Sequence, residues 1–169
     1  MSPDAIELLG LAALDPERAE PLGRTLAGMD PWATLGYGPE SLSRSLSAPH
    51  PDLTRWLALR DGRPLGVAAV RCPWLRGAYI ELFAVLPQAQ GQGVGGRLME
   101  GIESAYRDRA ANLWLLVSAF NGGARRFYAR RGFAPIGTIP DLVVVGQDEI
   151  LMRKVLKSHP GAARPGAKD

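Results

Sequence analysis

Seven residues, Gln90 to Gly96, read QGQGVGG and join a strand-like run, AYIELFAVL at Ala78 to Leu86, to a helix-like one. Gly91, Gly93, Gly95 and Gly96 allow positive φ and take away the side chains that would hold a ligand off the backbone. A helix starting here adds unpaired N–H groups and the positive end of its dipole, which suits phosphate or pyrophosphate. The same glycines would also serve simply to pack a helix close to a sheet. A second stretch, NGGARRFYARRGF at Asn121 to Phe133, sets Asn121 at a helix start, Tyr128 within it, and Arg125, Arg126, Arg130 and Arg131 around it. Tyr128 there sits beside Phe127, where an aromatic ring packs on the sheet. Glu81 stands inside the apolar strand YIELF, an uncommon place for a charge. Period-two alternation puts it on one face with Tyr79 and Phe83. It reads as a general base or as a rim carboxylate bonded to Arg71, with Tyr79 and Asp148 as weaker candidates for the base.

The loop letters also satisfy G-x-G-x-x-G, so a dinucleotide site has to be weighed. Pro87, Gln88, Ala89 and Gln90 separate the strand from the first glycine. No acid stands at Val117 or Ser118, about 20 residues on, where a ribose ligand belongs. Too little chain follows Gly96 for the second half of such a fold. A Walker A loop fails because Gly96 is followed by Arg97 and Leu98, not by Lys and then Ser or Thr.

The elements that position these residues follow from periodicity and breakers. AIELLGL reads as an opening strand. Asp15 and Pro16 are N-cap and first residue of a helix, DPERAEPLGRTLAGMD. DPWATLGYG is a loop, and PESLSRSLSA a short helix. LTRWLALR and RPLGVAAVRC flank Asp61-Gly62 as a hairpin. After the strand ending at Pro87, VGGRLMEGIESAYRDRAA carries Val94, Leu98, Ile102 and Tyr106 at helical spacing. LWLLVSAF is a continuously apolar, doubly buried strand. The short helix from Asn121 is ended by Gly132. FAPIGTIPDLVVV and DEILMRKVL are predicted as two closing strands joined around Gly146. A strand–helix–strand unit in the second half implies a parallel pair within a mixed α/β sheet.

The chain has 169 residues, enough for one domain. Its apolar runs are too short to cross a bilayer, and MSPDAIELL lacks the basic start of a signal peptide. Cys72, the single cysteine, cannot form an internal disulfide, which fits a reducing compartment. A cytoplasmic location without membrane association is expected. Lys and Arg number 20 against 17 Asp and Glu, a mild excess that lacks the clustered basic face of nucleic-acid binders. It suits an anionic small-molecule ligand. His50 and His159 sit beside prolines and form no metal-ligand pattern with Cys72. Met29, Met99 and Met152 read as packing residues.

QGQGVG at Gln90 to Gly95 resembles the Q/R-x-x-G-x-G/A signature of the GNAT superfamily of N-acetyltransferases. LFAVLPQAQ resembles that family's strand end, and NGGARRFYARRGF its N…A…FY…GF element. The resemblance covers roughly Pro64 to Val155. It implies a mixed, mostly antiparallel sheet of about seven strands, about four helices and a central parallel pair, in one domain over 1–156; the small, polar, Pro/Gly-containing tail at 157–169 is expected to be disordered. It implies acetyl-CoA as co-substrate and transfer to the primary amine of a small molecule or protein, by direct attack in a ternary complex. Phe83, Ala84 and Val85 would offer backbone groups to the pantetheine arm where the strand splays from its neighbour. Gln90, Gly91, Gln92, Gly93, Val94, Gly95 and Gly96 would receive the pyrophosphate. Arg97 and the arginines Arg125, Arg126, Arg130 and Arg131 would meet the outer phosphates, unless they are a solvated face. Asn121, Ala124 and Tyr128 would line the arm, Asn121 also serving as an N-cap. Tyr128 would protonate the departing thiolate and Glu81 would accept the amine proton. Trp32, Tyr37 and Trp74 lie near loops that border the family's acceptor pocket, and a homodimer is left open. A module that binds acyl-CoA without turnover, and a nicotinamide or flavin oxidoreductase, are the rival readings. Tyr128 speaks against the first, and the missing ribose acid against the second. Calorimetry is expected to show acetyl-CoA bound more tightly than NAD or ATP; NAD binding without CoA binding would overturn the reading.

Overall fold

The computed structural model describes residues 5–157, so all of the expected tail except Lys157 lies outside the described residues. Helix α1 (Pro16–Ala27) begins where Asp15 Oδ1 accepts from Arg18 N at 2.9 Å, satisfying one of the free amides of the first turn. Helix α2 (Pro39–Ser47) also starts on a proline. Their buried Leu22, Leu26, Leu42 and Leu46 pack together on one face of the sheet. The strands are β1 (Glu7–Leu11), β2 (Leu53–Arg60), β3 (Arg63–Trp74), β4 (Gly77–Val85), β5 (Asn112–Ser118), β6 (Ala134–Ile139) and β7 (Glu149–Val155). Helices α3 (Val94–Tyr106) and α4 (Gly122–Arg130) follow β4 and β5. Seven strands form one sheet in the order β1-β2-β3-β4-β5-β7-β6, antiparallel except for the β4–β5 pair.

The sheet separates two cores. Leu57, Val67, Ala69, Leu82 and Ala84 face α1 and α2. Ala68, Val70, Ala78, Ile80, Leu113, Leu115 and Val117 face α3, whose Val94, Leu98 and Ile102 are buried against them. The β2–β3 turn holds Asp61 and Gly62 at φ 50° and 74°, the left-handed pair that a tight hairpin requires. Among the described residues no helix is long and apolar enough to cross a membrane.

Two predicted elements are shorter in the structure. Helix α3 stops at Tyr106, because the exposed Arg107, Asp108 and Arg109 supply nothing to bury on the core side. Strand β6 stops at Ile139. Pro140 has no amide to donate to a ladder, and Asp141, at φ 53°, turns the chain and accepts from Gly146 N at 2.6 Å. Val143, Val144 and Val145 therefore lie in an exposed loop rather than in a strand.

Alternation along β4 also fails, and this matters for the site. Ile80 pairs with Val70 but Leu82 pairs with Ala69, so Glu81 is the extra residue of a β-bulge. A bulge shifts side-chain parity by one. Tyr79, opposite Arg71, faces the α1/α2 side, whereas Phe83 packs on the α3/α4 side against Phe127 and Tyr128. Tyr79 and Phe83 are thus on opposite faces, contrary to the period-two expectation, and Glu81 bonds to Arg71 on the Tyr79 side.

Arg55 on β2 is 1% exposed. Its guanidinium donates to Ala12 O at 2.6 Å, to Ser45 O and Ala48 O at 2.6 Å each, and to Leu53 O at 3.4 Å. It joins the chain before α1 and the end of α2 to the sheet. Arg55→Met preserves much of the volume but removes the donor shared by these partly buried carbonyls, and a hydrogen bond to a charged group contributes about 1.5–3 kcal/mol. Urea unfolding is expected to show a loss of about 3 kcal/mol or more; a change below about 1 kcal/mol would show that the carbonyls find other partners.

Candidate active site

Strands β4 and β5 pair from Gly77↔Asn112 to Ile80↔Leu115 and then diverge. Beyond that point Glu81 to Val85 and Leu116 to Ser118 face each other across a gap with no ladder. A cavity of about 820 Å³ occupies the gap. It is walled by the loop at the start of α3, by α4 and by the α1–α2 connection.

On the α3 side, Gly91 and Gly93 take φ of 73° and 77°. Gly93 is the N-cap of α3, and a β-branched residue there would be strained whatever the space around it. Arg97 N is the first amide of the helix to bond back, to Gly93 O at 3.0 Å. The amides before it in this turn point to no carbonyl among the described residues and remain as anion donors. A Cβ on Gly96 would meet the Arg131 guanidinium at 2.0 Å, so this glycine lets the arginine lie over the turn. Arg131 is held there by Glu100 at 3.0 Å.

The structure gathers most of the predicted residues around the cavity. Phe83, Ala84, Val85, Gln90, Gly91, Gly93, Val94, Gly95, Gly96, Asn121, Ala124, Tyr128 and Arg130 line it, as do Glu81 and Tyr79. Gln92 and Arg97 do not. Gln92 is turned onto Gln88 O at 2.9 Å and toward Arg60, and Arg97 is exposed. Asn121 caps α4 through its Oδ1, which accepts from Ala124 N at 3.2 Å. Arg125 bonds to Ala119 O and, with Arg126, lines a separate shallow cleft.

Tyr128 is 7% exposed, its ring set between Phe83, Phe127 and Phe133 at centroid distances of 5.5–6.1 Å. Its hydroxyl makes no hydrogen bond to any described residue. Burial pushes that phenol well above its ordinary pKa, so it keeps its proton through the neutral range.

The opposite face of the gap has different chemistry. Tyr79 stacks on Trp74 at 4.7 Å. Burial, then the charges of Glu81 and Glu149, raise its pKa to about 12. Trp32 and Tyr37 from the α1–α2 connection line this end, as do Met29 and Asp30, whereas Trp74 stands behind Tyr79 outside the lining. Glu149 and Ser118, paired across β5 and β7, are wall residues that sequence reasoning missed. Asp148 was the residue named there; it is exposed, and its buried neighbour Glu149 faces the cavity. The signal available was an acid at the mouth of an apolar strand, without the register that tells the two apart. Among the described residues no His, Cys, Asp and Glu cluster fit to hold a metal ion is present.

A model of the Acetyltransferase (GNAT) family matches residues 22–133 of the chain. The chain belongs to the GNAT family. It is an acetyl-CoA-dependent N-acetyltransferase by that membership. A nourseothricin acetyltransferase structure is 29% identical at a TM-score of 0.59, covering 66% of this chain and 70% of that one. The ribosomal-protein-S18-alanine N-acetyltransferase from Escherichia coli is 21% identical at a TM-score of 0.75, covering 94% and 98%. An aminoglycoside 6'-N-acetyltransferase complexed with coenzyme A is 15% identical at a TM-score of 0.75, covering 91% and 99%. The last two share the GNAT fold over nearly their whole length.

Gly93→Val is expected to leave a folded GNAT domain by circular dichroism while weakening CoA binding at least tenfold, since the side chain strains the turn that aims the amides. Wild-type affinity in calorimetry would show that the turn is not the phosphate cradle.

Proposed function

We propose that this enzyme transfers acetyl from acetyl-CoA directly to a primary amine within a ternary complex, with Tyr128 as proton donor and Glu81 as proton acceptor. The observation that carries the reading is the gap between β4 and β5, which is open to both faces of the sheet and has Tyr128 on one side and Glu81 on the other. Bound acetyl-CoA supplies the thioester carbonyl; the C–N bond forms as the C–S bond breaks. Backbone groups of Phe83, Ala84 and Val85, left without a β5 partner, hold the amide-rich arm. The amides from Gly91 to Gly96 and the guanidiniums of Arg130 and Arg131 hold its phosphates. Asn121 keeps its side-chain amide nitrogen for the arm while its oxygen caps α4.

The proton accounting follows from the two environments. Tyr128 stays protonated and apolar-packed, a donor for the thiolate sulfur that has no competing partner in the wall. Glu81 is bonded to Arg71, which orients the carboxylate, and water relays the amine proton to it. Cys72 on β3 lies away from the cavity lining, consistent with direct attack rather than an acyl-enzyme. The names of the similar structures span antibiotics and a ribosomal protein, so they support amine acetylation without choosing the acceptor.

Tyr128→Phe removes only the hydroxyl and keeps the ring contacts. If the hydroxyl donates to the thiolate, kcat falls by roughly 10²–10⁴ with acetyl-CoA affinity little changed. Glu81→Gln is expected to lower the rate most at low pH, where a neutral amine is scarce. An unchanged kcat for Tyr128→Phe, with chemistry shown to limit turnover, would remove Tyr128 from the mechanism.

A further inference from the structure

Charge along the cavity wall is polarised. Its lining cations, Arg130 and Arg131, stand at the C-terminal end of α4, on the glycine-loop side. At the other end stand the carboxylates Asp30, Glu81 and Glu149. Two of these are engaged: Asp30 accepts from Thr34 N at 3.2 Å and Thr34 Oγ1 at 2.6 Å, and Glu81 bonds to Arg71. Glu149 is different. It is 5% exposed, and Ser118 Oγ donates to its Oε1 at 2.7 Å. Its Oε2 accepts no hydrogen bond from any described residue, and no Lys or Arg among them pairs with it. Burial raises its pKa, opposed by the Ser118 hydrogen bond.

A buried carboxylate without a cation is unfavourable, and an incoming ammonium restores the balance. The same end of the cavity carries Trp32 and Tyr37, whose ring faces attract cations. We propose that the acceptor is an amine bearing a second cationic group, and that Glu149 seats that second group while the reacting amine lies at the β4–β5 gap. The inference rests on the transferase reading above and assigns Glu149 to specificity, leaving proton transfer to Glu81 and Tyr128.

Three probes of similar length isolate the distal group: 1,5-diaminopentane ends in an ammonium, pentylamine in a methyl and 6-aminohexanoate in a carboxylate. With the full chain and saturating acetyl-CoA, thiol release is expected to give kcat/KM for the diamine about 10- to 100-fold above pentylamine, the range of one hydrogen bond to a charged group. The difference should lie mainly in KM, with 6-aminohexanoate the poorest. Glu149→Gln, which retains a side-chain oxygen for Ser118, should collapse the diamine-to-pentylamine ratio to near one, and Glu149→Asp should restore part of it. Calorimetry of the same amines against the CoA-saturated protein reads the preference without turnover. A protein that binds the diamine preferentially yet transfers to none of the amines overturns the transferase reading and supports the cation seat. Equal kcat/KM and equal affinity for all three, a preference for 6-aminohexanoate, or a diamine preference that survives Glu149→Gln overturns the proposal.

Discussion

Strands β4 and β5 share four parallel residue pairs and then part, and the active site is a consequence of that separation. A parallel pair that continued would bond Glu81 to Val85 onto Leu116 to Ser118 and close the cavity. Instead β5 spends its other edge on seven pairs with β7, which keeps it straight, while β4 follows β3 through the bulge at Glu81. An extra residue bends and twists the strand that carries it, so β4 turns away from β5 immediately after Ile80. The result is a pair of unsatisfied strand edges inside the molecule. Such groups are costly if left dry, and an extended ligand rich in amides is their natural complement.

The bulge has a second effect, because it changes which face each side chain reaches. Phe83 is sent to α4, where it packs on the ring of Tyr128, while Tyr79 and Glu81 remain on the side of α1 and α2. The gap therefore divides an apolar wall with one protonated phenol from a wall of carboxylates and aromatic rings. Both tyrosines are raised in pKa, and for an acid that means the neutral form persists as pH rises. Tyr128 is thus available as a donor at neutral pH. Tyr79, raised to about 12, likewise keeps its proton there.

The parts of the fold set by local chemistry were legible in the sequence. Asp15-Pro16 gave the start of α1, Asp61-Gly62 the hairpin, and the glycines after Gln90 the turn into α3, because each answers to backbone dihedrals or free amides within a few residues. The parts set by register were not. The bulge at Glu81 depends on how β4 pairs with β3, and no composition marks it. Glu149 was hidden for the same reason: Asp148 and Glu149 are adjacent acids, and only the pairing with Ser118 decides which is buried. The run Leu142 to Val145 reads as a strand by residue type, yet Pro140 and the turn at Asp141 deny it a partner. Arg55 gave no signal, since its carbonyl acceptors lie in the chain before α1, at its own strand and at the end of α2.

Arg55 also explains why the two walls of the cavity are mechanically separate. The wall formed by α3 and α4 packs within the core that contains Leu98 and Ile102, while Leu82 and Ala84 of β4 belong to the other core. The opposing aromatic residues come from the α1–α2 connection, whose helices pack in the other core and are tied to β2 by the Arg55 guanidinium. Met29 and Trp32 pack against the α1/α2 core, whereas Val94 and Tyr128 lie in the α3 core, so a substitution in Met29 to Tyr37 reaches the glycine turn and Tyr128 only across β4. The glycine turn is constrained by dihedrals and close packing, whereas the opposing wall is constrained mainly by charge and shape. Differences in acceptor among proteins of this fold are then expected to concentrate in that connection and at the mouth of β7, where Glu149 stands in this chain.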